Sequence, residues 1–287
     1  MQSSANTPAF RVRAYPRLWR FIAGMLVAVS RAGLLVILLL VAVSEEPITL
    51  TMLVRALAIL SLLPGFAAWL IERAFTVDVR VQDGELIADG RDLRLEIPCA
   101  SISNVAPWSV PLPGPGFSIS MRSGRRLSRG VQADDPVPVL SALAEHGAVA
   151  AAGVATGHPV CLYAHAKQSI GRWRWYHLLV KFVVFGFLPA AVFFNAHQHI
   201  AYGGPLGEYH LLGLKAYLRT LGVYWATMSI YLILYASLWR GLAEAVALLS
   251  AWGAPSRAAL VRRTAERGGQ VLYYGGVPVL VLLRFLP

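Results

Sequence analysis

Long apolar stretches occur in two separate parts of the chain. Near the N-terminus, residues 21–43 and 48–71 are almost entirely apolar, and each is long enough to cross the hydrocarbon core of a bilayer as a helix. Nearer the C-terminus, residues 177–196 and 220–239 have the same character, while 271–286 is an apolar run of only about 16 residues. The pattern predicts a helical hairpin, two more transmembrane helices, and either a fifth span or a re-entrant tail.

Between these regions, residues 73–147 alternate between apolar and polar positions over short runs. Residues 76–81 and 93–97 place a valine, leucine or isoleucine at every second position, which puts these side chains on one face of a strand. Asp-Gly pairs at 83–84 and 89–90 supply turn signals between the runs. This segment is therefore predicted to be a small antiparallel β domain.

The second half of the predicted β domain continues the pattern. Residues 105–110, 117–121 and 127–131 are further strand candidates. The sequence Pro-Leu-Pro-Gly-Pro-Gly at 111–116 predicts an extended loop, because proline has no backbone N–H to donate to a sheet. Apolar residues at helical spacing in 136–146 predict one amphipathic helix that closes the domain.

This order of about seven short strands closed by one helix resembles the pleckstrin-homology-like (PH-like) domains of membrane-anchored bacterial proteins of unknown role. The run RLEIP at Arg94–Pro98, followed by ISNV at Ile102–Val105, carries the resemblance, which covers about residues 75–147. It implies a small antiparallel β-barrel or sandwich of PH-like type, and no site residue transfers with it. The predicted fold class is an α+β membrane protein with this domain inserted.

The composition supports a membrane protein. Hydrophobic residues make up 56% of the chain and charged residues 14%, against about 25% charged residues in a typical soluble domain. The net charge of +11 comes mostly from arginines and lysines that lie beside the apolar stretches, as expected for residues that set the orientation of a membrane protein. We therefore predict the lipid bilayer, and not nucleic acid, as a partner.

The distribution of arginines also predicts the orientation. Four arginines precede the first apolar stretch, whereas the turn at 45–49 has no basic residue, so the N-terminus should face the cytoplasm. The second helix then returns to the cytoplasm, and the β domain lies there. The expected location is a bacterial inner membrane, crossed several times.

The predicted organisation has five segments. They are a basic cytoplasmic N-terminus (1–20), a transmembrane hairpin (21–72), the β domain (73–147), a linker (148–171) and a C-terminal transmembrane region (172–287) with an outer histidine-rich loop (197–216).

The outer loop contains a candidate metal site. His197, His199, Glu208 and His210 supply potential ligands, and if both triplets were extended, residues two positions apart would point the same way. Three histidines and a carboxylate could then surround one divalent metal, the one cofactor that the sequence suggests. The alternative is that these side chains hydrogen-bond headgroups, water and loop carbonyls, since on a helix His197 and His199 would diverge.

Two arginines fall within predicted spans. Arg31 is near the middle of the first and Arg55 is about a third of the way into the second, where a charge is costly unless it faces a partner. Candidate partners are Glu45, Glu46, Glu208 or a lipid phosphate. The alternative is that each guanidinium extends to the membrane interface.

A third group of charges belongs to the β domain. Arg122, Arg125, Arg126 and Arg129 surround the turn at Ser123-Gly124. This cluster could bind anionic headgroups or an acidic partner, or it could be a solvated basic turn.

Two function hypotheses follow. The first is a noncatalytic membrane-anchored binding or scaffold protein, whose PH-like domain docks a protein or anionic lipid at the cytoplasmic face. It is favoured because the common nucleotide-binding and hydrolase motifs are missing from the sequence. The second is a membrane-embedded, metal-dependent enzyme or transporter that uses the histidine cluster on an anionic lipid or a small substrate.

Overall fold

The structure is a computed structural model that describes residues 8–44, 48–91, 93–169 and 174–285. These residues form two compact units. The first, which we call the sheet unit, comprises the described residues within 1–31, 62–171 and 244–263. The second, which we call the helical unit, comprises those within 32–61, 172–243 and 264–287.

The sheet unit is built on one seven-stranded antiparallel sheet, curled into a half-barrel. Its strands are β1 (Phe10–Pro16), β2 (Thr76–Gln82), β3 (Glu85–Gly90), β4 (Leu93–Pro98), β5 (Ile102–Pro107), β6 (Gly116–Met121) and β7 (Arg129–Gln132). Their order in space is β4-β3-β2-β1-β7-β6-β5. The domain is therefore α+β, and the predicted antiparallel strands are confirmed, with shifts of a few residues at their ends.

Strand β1 occupies the centre of the sheet. Val12 pairs with Val77 of β2, and Ala14 pairs with Val131 of β7. This strand lies in the segment predicted as a basic N-terminus, where apolar and basic residues alternate. Val12 and Ala14 are buried in the core, whereas Arg11 on the other face is exposed. The β domain is therefore completed by residues that precede α1.

Helices connect and flank the strands. They are α1 (Arg17–Val43), α2 (Leu50–Leu57), α3 (Leu63–Ala74), α4 (Pro136–Glu145), α5 (Ala150–Thr156), α6 (Pro159–Gln168), α7 (Trp175–Leu179), α8 (Phe185–Tyr202), α9 (Gly207–Gly253) and α10 (Ala258–Phe285). Two π-helical segments, Ala58–Leu62 and Val180–Val184, make α2–α3 and α7–α8 continuous. Residues 99–101 and 255–257 form short 3-10 turns.

The core of the sheet unit includes three helices that follow the sheet. Helix α4 is the predicted closing helix, and Leu140 and Leu143 on it are fully buried. The segment 148–171, predicted to be a linker, instead contributes α5 and α6, whose Ala152 and Cys161 join the same core. Small side chains allow these short helices to approach the core closely. The alanine-rich segment therefore packs into the core and is not an extended linker. Residues 170–173, at the predicted boundary, lie outside the described residues.

Four described helices are long and apolar enough to cross a membrane. They are Arg17–Val43, Leu50–Ala74, Trp175–Tyr202 and Gly207–Gly253. In the most apolar stretch of each, only 11–22% of the residues are buried, which leaves apolar surface of the kind that lipid covers. The predicted fifth segment is helical within α10, but α10 is not among these four, so the four-span alternative agrees better with the described residues.

The helical unit has its own apolar contacts. Ile37, Leu53 and Leu234 form one buried cluster. At Gly33, α1 and the π-helical segment approach so closely that a Cβ would lie 2.2 Å from the carbonyl oxygen of Leu60. Any side chain at position 33 would force these helices apart.

Candidate functional site

The histidine-rich segment is helical, whereas the candidate metal site required both triplets to be extended. His197 and His199 lie on α8, so their side chains diverge by about 200° instead of pointing the same way. The ring of His197 packs against Tyr202 and Tyr224, and Nδ1 of His199 lies 2.9 Å from the carbonyl oxygen of Asn195. The extended arrangement that a metal site required is absent at His197 and His199, because the helix continues to Tyr202 before the chain turns at Gly203.

Of residues 197–199, the one that contacts Glu208 is the glutamine between the two histidines. Gln198 is fully buried, and its Nε2 donates to Glu208 Oε2 at 2.6 Å. The backbone N–H of Glu208 donates back to Gln198 Oε1 at 3.2 Å, and the Thr220 hydroxyl donates to Glu208 Oε1 at 2.6 Å. Both carboxylate oxygens of Glu208 thus accept hydrogen bonds from neutral donors within the helical unit.

The four predicted ligands do not form a metal site in this structure. His199 and His210 are exposed, whereas Glu208 is buried. Among the described residues, no group of three or more His, Cys, Asp or Glu side chains is placed to hold a metal ion. The predicted divalent metal therefore has no geometric support in this part of the chain.

Arg31 and Arg55 are both exposed on the surface of their helices. Neither makes an ion pair with a described acidic residue. Of the predicted partners, Glu208 is engaged by Gln198 and Thr220, and residues 45–46 lie outside the described residues. Contact with lipid or extension to the interface remains the prediction for both arginines.

The arginine cluster of the β domain lies on the hairpin between β6 and β7, which we call the arginine hairpin (residues 122–129). Its turn is closed by a backbone hydrogen bond of 3.0 Å from Gly124 to Met121, and Gly124 has a left-handed φ of 78°. Arg122, Arg125 and Arg126 are exposed, and Arg129 is half-buried. In the part of the chain that the structure describes, none of the four has an ion-pair partner.

The arginine hairpin lies at a defined end of the sheet. Strand β6 begins at Gly116, beside Gln132, and ends at Met121, beside Ile102. The loop from β5 and the turn to β7 therefore leave β6 at opposite ends. Over five residue steps, these ends are about 17 Å apart.

Sequence reasoning missed a buried charge network in the sheet unit. Arg262 holds Glu244 with two hydrogen bonds, Nη1 to Oε2 at 2.7 Å and Nη2 to Oε1 at 3.0 Å. Lys167 Nζ lies 3.1 Å from Glu244 Oε1, and the Tyr163 hydroxyl donates to Oε2. The side chain of Arg262 is only 4% exposed.

The network joins α6 to the end of α9 and the beginning of α10. Burial, together with the neighbouring carboxylate of Glu244, raises the pKa of Tyr163 to about 12, so this hydroxyl remains a donor at neutral pH. A single carboxylate at position 244, within an otherwise apolar stretch, was the sequence signal that could have revealed the network. Since every charged group in the network is paired, its ion pairs and hydrogen bonds hold α6, α9 and α10 together.

We expect the Arg262→Met variant to lose about 3 kcal/mol of unfolding free energy, because it leaves a largely buried carboxylate with fewer partners. Denaturant unfolding of the full chain in detergent measures this loss. The matched control is Arg263→Met, which removes an exposed arginine one position along the same helix. Equal stability of the two variants would show that the network does not stabilise the fold.

A second prediction separates Gln198 from its neighbouring histidines. Gln198→Ala removes a donor from the buried carboxylate of Glu208, and we expect it to lower the unfolding free energy by about 2 kcal/mol. His199→Ala removes an exposed ring and should change stability by less than about 0.5 kcal/mol. A reversed order in thermal or denaturant unfolding would contradict the described hydrogen bonds.

Comparison of the chain with protein-family models, with curated proteins and with solved structures found no match.

Proposed function

We propose that the chain is a membrane-anchored binding protein, in which the arginine hairpin of a PH-like domain recognises an acidic surface on a partner protein. Four apolar helices that are largely uncovered support the membrane anchor. A curled antiparallel sheet closed by a helix supports the PH-like type.

The observation that carries the proposal is the state of the arginines. Arg122, Arg125 and Arg126 project from one short turn and are exposed, with no ion pair to any described residue. By contrast, the largely buried Glu244 in the sheet unit is paired with two cations. Arginine offers a planar set of donors that matches carboxylates and phosphates, so the turn presents unused binding capacity for an anionic surface.

The position of the turn favours a protein over the lipid around the anchor. The loop at the other end of β6 lies against α1, where Leu112 approaches Gly24. The arginine hairpin is separated from that contact by the length of β6, about 17 Å. A partner that approaches the free end of the sheet can reach the arginines without displacing the contact with α1.

We further propose that the membrane is a bacterial inner membrane, with the sheet unit on the cytoplasmic side. The support is the position of basic residues at the ends of the first two membrane helices. Arg17 and Arg20 lie in the first turn of α1, and Arg73 lies in the last turn of α3. Basic residues at membrane helix ends mark the cytoplasmic side.

Photo-cross-linking in membranes tests the proposed function. The full chain carries benzoylphenylalanine in place of Ser123, at the tip of the arginine hairpin, and is irradiated in the native membrane. We expect a discrete protein adduct, and Arg125→Glu should lower its yield at least roughly fivefold through charge repulsion. The matched control is Arg91→Glu, which reverses an exposed arginine in another turn of the same domain.

Three results would contradict the proposal. The first is an adduct yield that Arg125→Glu leaves unchanged. The second is a yield that falls equally with Arg91→Glu. The third is cross-linking to lipid alone. The last result would assign the arginines to an anionic membrane surface instead of a protein. Raised salt should also lower the yield, since exposed charges are screened.

A further inference from the structure

The loop between β5 and β6, which we call the proline loop (Trp108–Pro115), lies along the beginning of α1. The guanidinium carbon of Arg20 is 4.0 Å from the centre of the Trp108 ring. One helical turn further on, Gly24 is so close to the proline loop that a Cβ would lie 3.7 Å from the backbone of Leu112 and Pro113. Two consecutive turns of α1 therefore contact this loop.

The sheet holds Trp108 in place. Its ring lies over two glycines, Gly116 and Gly130, where a Cβ would come within 2.8 Å of ring carbons. The indole N–H donates to the Ser118 hydroxyl at 3.1 Å, and Trp108 is only 5% exposed. Because the ring is fixed on one side by the sheet, it offers a rigid platform to Arg20.

The contact with Gly24 places the proline loop beside the part of α1 that is predicted to cross the membrane. Gly24 belongs to the predicted span 21–43, and its neighbours Phe21 and Met25 are 67% and 50% exposed. A segment packed against α1 at this level meets the same surroundings as those apolar side chains. The composition of the loop agrees, since residues 107–121 contain no charged residue and Val110 is 57% exposed.

Arg20 has unused hydrogen-bonding capacity at the same place. It is half-buried on the Trp108 ring, and no described residue accepts a hydrogen bond from its guanidinium. A stacked guanidinium keeps its in-plane donors free, and these match the oxygens of a phosphate. Phosphate is the acceptor that a lipid headgroup places at the start of a membrane helix.

We propose that the proline loop inserts Val110 into the interfacial layer of the membrane beside α1, and that Arg20, stacked on Trp108, binds the phosphate of a phospholipid there. The inference rests on the proposed membrane anchoring through α1. The two ends of β6 then have different binding partners, lipid at the proline loop and the acidic partner protein at the arginine hairpin. The occupant is lipid because the surface is continuous with the exposed apolar side of α1.

Depth-dependent fluorescence quenching tests the insertion. The full chain, with Val110→Cys labelled by an environment-sensitive fluorophore, is reconstituted into vesicles of phosphatidylcholine and phosphatidylglycerol that carry a shallow acyl-chain spin label. Phe21→Cys reports whether α1 is inserted, and Ser123→Cys reports the opposite end of β6. The native Cys99 and Cys161 are buried, so the unsubstituted chain serves as the labelling blank.

We expect the Val110 label to be quenched at least about half as strongly as the Phe21 label, as for a side chain in the interfacial layer. The Ser123 label should remain unquenched. Quenching at Phe21 without quenching at Val110 overturns the insertion and leaves the membrane anchor intact. Absence of quenching at both positions overturns the membrane anchor, and the insertion with it.

Lipid retention tests the phosphate contact. Native mass spectrometry of the detergent-purified chain, titrated with phosphatidylglycerol, should show roughly tenfold weaker binding of the tightest lipid in Arg20→Gln, as expected when charged hydrogen bonds are lost. Arg17→Gln, which removes an exposed arginine from the same turn, is the matched control. Equal binding by both variants would overturn the assignment of Arg20.

Discussion

The central position of β1 is the constraint on which the sheet unit depends. The strand pairs with β2 on one side and β7 on the other, so without it the sheet would separate into two parts. It also passes directly into α1 at Pro16–Arg17, and α3 reaches β2 with only Phe75 between them. Arg13 on β1 adds ion pairs of 2.5 Å to Glu72 and 2.6 Å to Asp134. Helices α1 and α3 therefore continue directly into paired strands of the sheet.

Local patterns predicted the elements whose signal is contained in a short window. Apolar stretches predicted the four helices that are long and apolar enough to cross a membrane, and alternation with Asp-Gly turns predicted most of the sheet. The place of β1 could not be predicted in this way, because its pairing with β7 joins residues more than a hundred positions apart. Its basic residues also suggested a membrane flank. Ala152 and its neighbours suggested a linker because small side chains carry little periodic signal, although they pack closely in the core.

Contacts of polar and charged side chains likewise could not be predicted from a short stretch of sequence. The sequence singled out His197 and His199 by their type, whereas the structure uses Gln198 to bind Glu208. It did not single out Glu244, whose partner Arg262 lies 18 positions further along the chain on another helix. The arginine hairpin was predicted because its residues are adjacent in sequence. The described residues supply these clustered arginines with no counter-charge, and so the proposed function depends on them.

Hydrogen exchange of the full chain in detergent tests the role of β1 most directly. The backbone N–H of Ala14 donates to the carbonyl of Phe75 at 2.9 Å, in the middle of a sheet paired on both sides. Peptides that cover residues 10–16 should therefore exchange as slowly as those that cover β2, since both open only when the sheet unfolds. Exchange of 10–16 at the rate of an unpaired terminus, with β2 protected, would contradict the account and make the β domain independent of the N-terminal segment.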